Sequence, residues 1–211
     1  MSFLASIVTV NGHRKLMAEY ADIYDKVFSE HTGYQSPIGS PGFRLCLQNQ
    51  ERLLNAGPRH LDYGCGAGFA VELMRSHLFR KEAYGVDISP KMVASANSRM
   101  GADVVRVMEN GRAPFDTASF DIVTCFDVLE HLDEPDIWAT RNEIHRLVKP
   151  GGILFCNISL RLSGSVDLSG RNLHRTIQKP DWWDDIFAFD DFAVTKADME
   201  MTGWKRLPLS T

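Results

Sequence analysis

Cysteine is scarce in this sequence, and the four cysteines do not form a metal or redox motif. None of Cys46, Cys65, Cys125 and Cys156 stands at C-x-x-C spacing, which argues against a zinc knuckle or a thioredoxin-like motif. Cys125 and Cys156 lie within apolar runs, where a free thiol packs as a small apolar side chain. Four unpaired thiols are typical of a reducing compartment, so we predict a cytoplasmic protein without a metal site.

The sequence also lacks long apolar runs and an excess of positive charge. A membrane span needs roughly 20 apolar residues, and no such run or charged-then-apolar leader is present. Lysine and arginine total 23 against 27 acidic residues, which gives a net charge of −4. Proteins that grip nucleic acid by its phosphates are usually basic. We therefore expect neither a membrane nor a nucleic-acid partner, and the sequence does not predict an oligomeric state.

Residues 1–57 and 58–211 differ in pattern, which divides the chain into two parts. The first part has apolar residues at helical spacing in Leu16–Phe28 and Phe43–Leu54. The stretch between them, His31–Gly42, is rich in glycine and proline and is predicted to be a loop.

From His60 onward, short apolar strands alternate with helices, which is typical of an α/β fold. The predicted strands are His60–Tyr63, Ala83–Asp87, Asp103–Met108, Phe120–Phe126 and Ile153–Ile158. The predicted helices are Phe69–Phe79, one that begins at Ser89-Pro90, Pro135–Val148 and Pro180–Phe187. Two final strands, Phe192–Ala197 and Trp204–Leu209, are predicted to form an antiparallel edge pair around a turn at Thr202-Gly203. We predict a doubly wound, mainly parallel, seven-stranded sheet.

The segment Leu61–Gly68 is a glycine-rich turn that follows a strand and opens a helix. Glycine permits a sharp turn and the close approach of a ligand to the main chain. The helix N-terminus adds a partial positive charge that favours a carboxylate or phosphate. Asp87 ends the second strand, 23 positions after Gly64, where an acid can accept hydrogen bonds from a ribose diol or can cap the next helix.

Four motifs together resemble the class I S-adenosylmethionine-dependent methyltransferases, in particular those of the type 11, 12 and 23 groups. They are Leu61–Gly68, Pro114–Asp116, Phe126–Leu132 and Leu147–Gly152, and the resemblance covers about residues 58–160. It implies a Rossmann-like domain over 58–211, with S-adenosylmethionine as cofactor and 1–57 as an N-terminal helical lid. It also implies methyl transfer to an oxygen or nitrogen, for which we expect a small-molecule or glycan substrate.

The resemblance also implies the site residues. Cofactor contacts are expected from Asp62, Gly64, Cys65, Gly66, Gly68, Asp87, Ile88, Glu109, Asn110 and Asp127. Relatives usually have aspartate at the position of Glu109, so Asn110 is expected to share the adenine contact. Catalytic candidates are Asp127, His131 and His174, the last in a polar insertion over about 159–180 that is expected to form the substrate pocket. His131 is either a base or a packing residue, and His174 is either a base or part of a solvated loop.

Three alternative functions stay open at this point. A nicotinamide-dependent oxidoreductase shares the glycine turn, although its G-x-G-x-x-G spacing is missing. A non-catalytic partner subunit with the same fold is the second alternative. A nucleic-acid base methyltransferase is disfavoured, because Phe126-Asp127-Val128-Leu129 stands where amino-methylating enzymes carry Asn/Asp-Pro-Pro-Tyr/Phe, and no cysteine follows a proline.

Overall fold

The computed structural model describes residues 18–78, 81–167, 169–195, 197 and 199–209. The predicted helix ends at Leu16 and Phe79 lie outside these residues. Helix α1 covers 18–30 of the described part. Among the residues described, no helix combines the length and apolar character that a membrane crossing requires.

Seven strands form one sheet in the order β3-β2-β1-β4-β5-β7-β6. The strands are β1 His60–Tyr63, β2 Ala83–Asp87, β3 Val105–Val107, β4 Phe120–Phe126, β5 Val148–Ser159, β6 Asp191–Thr195 and β7 Glu200–Arg206. Neighbouring strands from β3 to β5 pair in parallel, whereas β7 is antiparallel to both β5 and β6. The predicted mainly parallel sheet with an antiparallel edge pair is confirmed.

Helices cover both faces of the sheet. Successive side chains of each strand point to opposite faces, so both sets are buried only when helices pack on both sides. The helices that follow α1 are α2 Pro41–Gln48, α3 Gln50–Leu54, α4 Phe69–Ser76, α5 Pro90–Met100, α6 Glu134–Leu147 and α7 Pro180–Phe187. On one face, Leu61 and Val123 share a core with α6 and α7. On the other, Ile122 and Phe126 share a core with α2, α3 and α4. The doubly wound architecture is therefore confirmed.

The second predicted helix, Phe43–Leu54, is wrong in its extent. It begins earlier, at Pro41, because the Ser40 side chain accepts a hydrogen bond from Phe43 N and proline suits the first helical position. It is interrupted at Asn49, whose backbone leaves the helical region and whose side-chain amide donates to Leu45 O at 3.0 Å. The predicted loop before it contains two 3-10 turns, Thr32–Gln35 and Pro37–Gly39.

The predicted turn at Thr202-Gly203 is also wrong, because both residues lie inside β7 and pair with Asn157 and Cys156. Glycine is needed there for packing: a Cβ on Gly203 would lie 2.6 Å from the ring of Phe189. Strand β5 likewise starts at Val148, before its predicted start at Ile153, and runs through Pro150-Gly151-Gly152 with a register shift against β4. The bounds of β1, β2, β4 and α7 match the prediction, and the other described boundaries differ by one or a few residues.

Candidate functional site

One cavity of about 740 Å³ opens at the carboxyl ends of β1, β2 and β4. Ligands of open α/β sheets bind at this edge, and small-molecule sites usually measure roughly 300–1,000 Å³. The lining comes from the turns after these strands, from the 108–112 loop, from α6, and from the N-terminal segment. The cavity is therefore large enough for a nucleoside-sized ligand together with part of a second molecule.

The glycine turn after β1 forms the floor of this cavity with its backbone. Gly64 and Gly66 have positive φ values of 74° and 53°, which only glycine adopts readily. A Cβ on Gly64 would lie 2.3 Å from Cγ2 of Val128, and Val128 also lines the cavity. Gly68 is not among the lining residues and instead permits close packing, because its Cβ would lie 2.9 Å from that of Ala96.

Asp87 connects the end of β2 to this turn. One carboxylate oxygen accepts from Gly66 N at 2.8 Å, and the other accepts from Ser89 N at 2.9 Å. Burial raises the pKa of this carboxyl group, and these backbone hydrogen bonds lower it. Asp87 also lines the cavity, so the remaining lone pairs of its carboxylate are accessible to a ligand.

Asp62 and Cys65 lie on either side of the first glycine. The Thr124 hydroxyl donates to Asp62 Oδ1 at 2.7 Å. Burial raises the pKa of Asp62 to about 7, so the group is poised to titrate near neutrality. The Cys65 thiol packs against β2, because a Cβ on Gly85 would lie 2.6 Å from its Sγ. Its side chain is thus committed to packing.

The 108–112 loop brings Asn110 into the cavity lining but leaves Glu109 out of it. Glu109 is exposed, and its backbone pairs with that of Arg112. Asn110 has a φ of 53°, which asparagine tolerates better than most residues. Ile88 lines the same region. Of the two predicted adenine contacts, only Asn110 is therefore placed beside the cavity.

Four side chains after β4 and in the insertion form what we call the acid–histidine cluster: Asp127, Glu130, His131 and His174. Ser159 N donates to Glu130 Oε1 at 2.8 Å, and the carboxyl groups of Asp127 and Glu130 lie within hydrogen-bond reach of each other. Glu130 Oε2 and Asp127 Oδ1 are buried and meet no other hydrogen-bond donor among the described residues. Burial, and then repulsion from Glu200, raises the pKa of Asp127 to about 7. Burial and the neighbouring Asp127 raise the pKa of Glu130 well above its ordinary value.

The two histidines of the cluster contact each other edge to face, with ring centroids 4.6 Å apart. His131 Nδ1 lies 3.1 Å from Leu173 O, and His174 Nδ1 lies 2.6 Å from Arg161 O. Burial lowers the pKa of His131 to about 3 and lowers that of His174 as well, so both rings are neutral. Because a carbonyl oxygen can only accept, each Nδ1 carries the proton and each Nε2 keeps a free lone pair.

The insertion that carries His174 is held in place by packing and by charge. Leu173 is buried against Ile23 and Val27 of α1. Arg175 pairs with Asp167 at 3.2 Å, and both side chains are almost fully buried. These contacts place His174 in the cavity lining.

The N-terminal segment covers the cavity through contacts that the sequence did not reveal. The Tyr20 hydroxyl donates to Asp136 at 3.3 Å and accepts from Asp133 N at 3.2 Å. Asp25 accepts from Lys91 N at 3.1 Å and from the Ser89 hydroxyl. Helical periodicity gives no sign of such polar contacts, because they depend on which loops the helix meets. Sequence reasoning also missed Glu130 as a site residue, although its position next to His131 could have indicated it.

The chain resembles known methyltransferases in sequence and in fold. Residues 61–156 match the family model described as Methyltransferase domain. The ubiquinone biosynthesis O-methyltransferase of Xanthomonas oryzae is 38% identical over 109 residues, which are 49% of this chain and 44% of that protein. The 27-O-demethylrifamycin SV methyltransferase of Amycolatopsis mediterranei is 34% identical over 149 residues, which are 64% of this chain and 53% of that protein. The chain thus spans about half the length of the curated relatives it matches.

Comparison with a solved structure supports a methyltransferase-like architecture for this chain. The S-adenosylmethionine-dependent methyltransferase from Mesorhizobium loti superposes with a TM-score of 0.60 at 16% identity, covering 81% of this chain and 100% of that one. At this identity, the likeness shows the fold alone. Together with the match of residues 61–156, it shows that this chain contains a methyltransferase domain with a Rossmann-like fold, similar to the class I S-adenosylmethionine-dependent methyltransferases. S-Adenosylmethionine is the cofactor of this family, which favours it over the nicotinamide alternative.

Proposed function

We propose that this protein transfers the methyl group of S-adenosylmethionine to a hydroxyl oxygen of a small molecule or glycan. The observation that carries the proposal is that one cavity is lined by the glycine turn and Asp87 together with Asp127, His131 and His174 of the acid–histidine cluster. A cofactor site and a set of proton acceptors therefore share one space. The names of two relatives, an O-methyltransferase and a 27-O-demethylrifamycin SV methyltransferase, support oxygen as the acceptor atom.

The residues present fit such a cofactor. The backbone of Gly64 to Ala67, with the Asp62 carboxylate, would hold the methionine part, and a side chain at Gly64 would collide with Val128. Asp87 would accept hydrogen bonds from the ribose hydroxyls. Asn110 and Ile88 would contact the adenine, whereas Glu109 lies outside the lining.

Bound S-adenosylmethionine supplies a methyl group activated by a sulfonium: the acceptor oxygen forms the new C–O bond while the S–C bond breaks, leaving S-adenosylhomocysteine. The protein aligns the two molecules, which can lower the barrier by about 7–11 kcal/mol in favourable cases. A hydroxyl acceptor must also lose its proton. The acid–histidine cluster offers acceptor atoms for that proton on Asp127, His131 and His174.

Calorimetric titration tests the cofactor assignment directly. S-Adenosylhomocysteine is expected to bind the purified chain with one site, and NADH is expected not to bind. Formation of S-adenosylhomocysteine with a panel of phenols, sugars and other hydroxyl compounds then tests turnover. Binding of NADH alone would favour an oxidoreductase, and cofactor binding without turnover on any acceptor would favour the non-catalytic subunit.

The affinity for S-adenosylmethionine is expected to rise with pH because of Asp62. Its carboxyl group, with a pKa of about 7, must be ionised to pair with the ammonium group of the ligand. Below pH 7 binding must therefore release a proton, so affinity should increase up to tenfold per pH unit from pH 5.5 and level off above 7. Titrations in buffers of different ionisation enthalpy measure that proton. An Asp62→Asn variant should show a shallower pH dependence, and an equally steep profile in this variant would exclude Asp62 as the cause.

Replacing Asp127 by asparagine is expected to lower kcat about 100-fold, the lower end of the usual contribution of a general base. The reason is that the Asp127 carboxyl group lines the cavity, and asparagine keeps its shape but loses its proton affinity. The measurement is S-adenosylhomocysteine formation with the acceptor found in the panel. The Asp116→Asn variant is the matched control, because Asp116 is exposed and is not among the lining residues. Equal rates for the two variants would show that Asp127 takes no part in the transfer.

A further inference from the structure

Three side chains of the acid–histidine cluster are arranged as metal ligands. Glu130, His131 and His174 each offer one ligating atom, and these atoms all lie within 4.8 Å of one another. Ligands that lie about 2.0–2.2 Å from a tetrahedral zinc ion are about 3.3–3.6 Å apart, so the three side chains would have to approach one another by roughly 1 Å to bind together. Two of the ligands come from the turn after β4, and the third comes from the insertion.

Both histidines are already prepared to ligate. Metal-binding histidines are neutral, and they usually donate the second ring nitrogen to a carbonyl or carboxylate group. Here Leu173 O and Arg161 O accept from the two Nδ1 atoms, which fixes the tautomer with Nε2 unprotonated. The fixed ring of His174 therefore argues against the alternative that this residue is only part of a solvated loop.

Among the described residues, no cation lies within ion-pair distance of the carboxylates of the cluster, and Arg44 and Arg161 act on Asp127 only from farther away. Glu130 is fully buried, and its Oε2 atom meets no hydrogen-bond donor except the neighbouring Asp127 carboxyl group. No ion pair of the described residues includes Glu130 or Asp127, and the nearby Arg175 is instead paired with Asp167 and Asp133. A buried acidic oxygen without a partner costs considerable free energy. A bound cation would remove that cost.

We propose that Glu130, His131 and His174 bind one divalent transition-metal ion of the zinc class. Two imidazoles and one carboxylate form a ligand set typical of catalytic zinc sites, in which the fourth position is open to water or substrate. Imidazole nitrogen favours this class of ion over Mg²⁺ and Ca²⁺, which prefer oxygen ligands. The sequence alone predicted no metal, because the third ligand lies over 40 positions away from the other two.

The role of the ion in methyl transfer rests on the function proposed above, whereas its binding does not. An acceptor hydroxyl at the open position would become more acidic through the positive charge of the ion, as metal-bound water does. The two histidines are then ligands, which leaves Asp127 to take the hydroxyl proton. The transfer itself changes no oxidation state, and the ion stays bound.

Metal binding can be measured without any knowledge of the acceptor. The full chain is depleted of metal by chelation and then titrated with Zn²⁺ in a calorimeter. A parallel titration with Co²⁺ is followed by visible absorption, which reports coordination by nitrogen and oxygen. We expect one site per chain and at least 100-fold weaker Zn²⁺ binding in His174→Gln. The exposed histidine variant His77→Gln should bind as the wild type does.

Other outcomes would overturn the proposal. They are no Zn²⁺ binding by the wild type at 100-fold excess, equal affinity in His174→Gln and the wild type, or preferential binding of Mg²⁺. Glu130→Gln provides a second test of the ligand set, and S-adenosylhomocysteine titration of each variant shows whether it is folded. Protein that binds S-adenosylhomocysteine but no Zn²⁺ would refute only the metal site. Metal binding without any cofactor binding would refute only the methyltransferase function.

Discussion

An Asp87→Ala variant is expected to bind S-adenosylhomocysteine roughly 10²- to 10⁴-fold more weakly than the wild type. Asp87 ends β2 inside the cavity, and we propose that it accepts hydrogen bonds from both ribose hydroxyls. Hydrogen bonds to a charged group contribute about 1.5–3 kcal/mol each, and 1.4 kcal/mol corresponds to a tenfold change in affinity. Calorimetric titration measures the change.

The same carboxylate also accepts hydrogen bonds from Gly66 N and Ser89 N. Its loss will therefore destabilise the glycine turn in addition to weakening ligand binding. A ligand lacking the 2′-hydroxyl separates these two effects. The wild type should bind 2′-deoxy-S-adenosylhomocysteine at least tenfold more weakly than the parent compound, whereas Asp87→Ala should bind the two alike. If the variant still discriminated between them as strongly as the wild type, Asp87 would be a structural residue only.

A Gly64→Ala variant is expected to lose measurable cofactor binding and about 2–5 kcal/mol of unfolding free energy. At a φ of 74°, an alanine is strained by about 1–2 kcal/mol. Its Cβ would also lie 2.3 Å from Cγ2 of Val128, and overpacking of this kind typically costs about 1–3 kcal/mol. Since the turn must move to relieve the overlap, its backbone would no longer fit the methionine part of the cofactor. Urea unfolding and titration with S-adenosylhomocysteine measure the two effects.

Two further variants separate strain from overlap. Gly101 also has a positive φ, 61°, but a Cβ there would meet nothing within 4 Å. Gly101→Ala should therefore lose only the 1–2 kcal/mol of strain and keep full cofactor affinity. Adding Val128→Ala to Gly64→Ala should restore part of the stability by removing the methyl group that collides. An equal loss of stability in Gly64→Ala and Gly101→Ala would contradict the overlap at Val128.

Strands β1, β2 and β4 of the parallel sheet were predictable because each is a short run between turn residues and is buried almost throughout. The bounds of β1, β2 and β4 were predicted correctly. Errors arose at residues whose role is not registered by the periodicity of apolar residues. Gly203 was interpreted as a turn, yet it lies in mid-strand because the ring of Phe189 occupies the place of a side chain. Asn49 ends α2 through its own side chain, which helical periodicity does not register.

The candidate site was predictable to a similar degree. The glycine turn and Asp87 were found because their spacing along the chain follows the strand–turn–helix geometry itself. Glu109 was given an adenine contact by resemblance, and the fold turns it outward while Asn110 reaches the cavity. Tyr20 and Asp25 were missed as polar anchors, because their partners lie on loops that are distant in sequence.

Periodicity and glycine placement thus determined the alternation of strands and helices and the edge at which a ligand is expected, whereas the class of cofactor was implied by the resemblance of the motifs to a known family. These features depend on residues close together in the chain, whose preferences act before the chain folds. The meeting of Glu130 and His131 with His174, and the contacts that fix α1 to the loops beside the cavity, were decided by the tertiary structure alone. These contacts join residues that are distant in sequence, so they depend on the path of each loop and on the elements it packs against. Both are determined only when the core is formed.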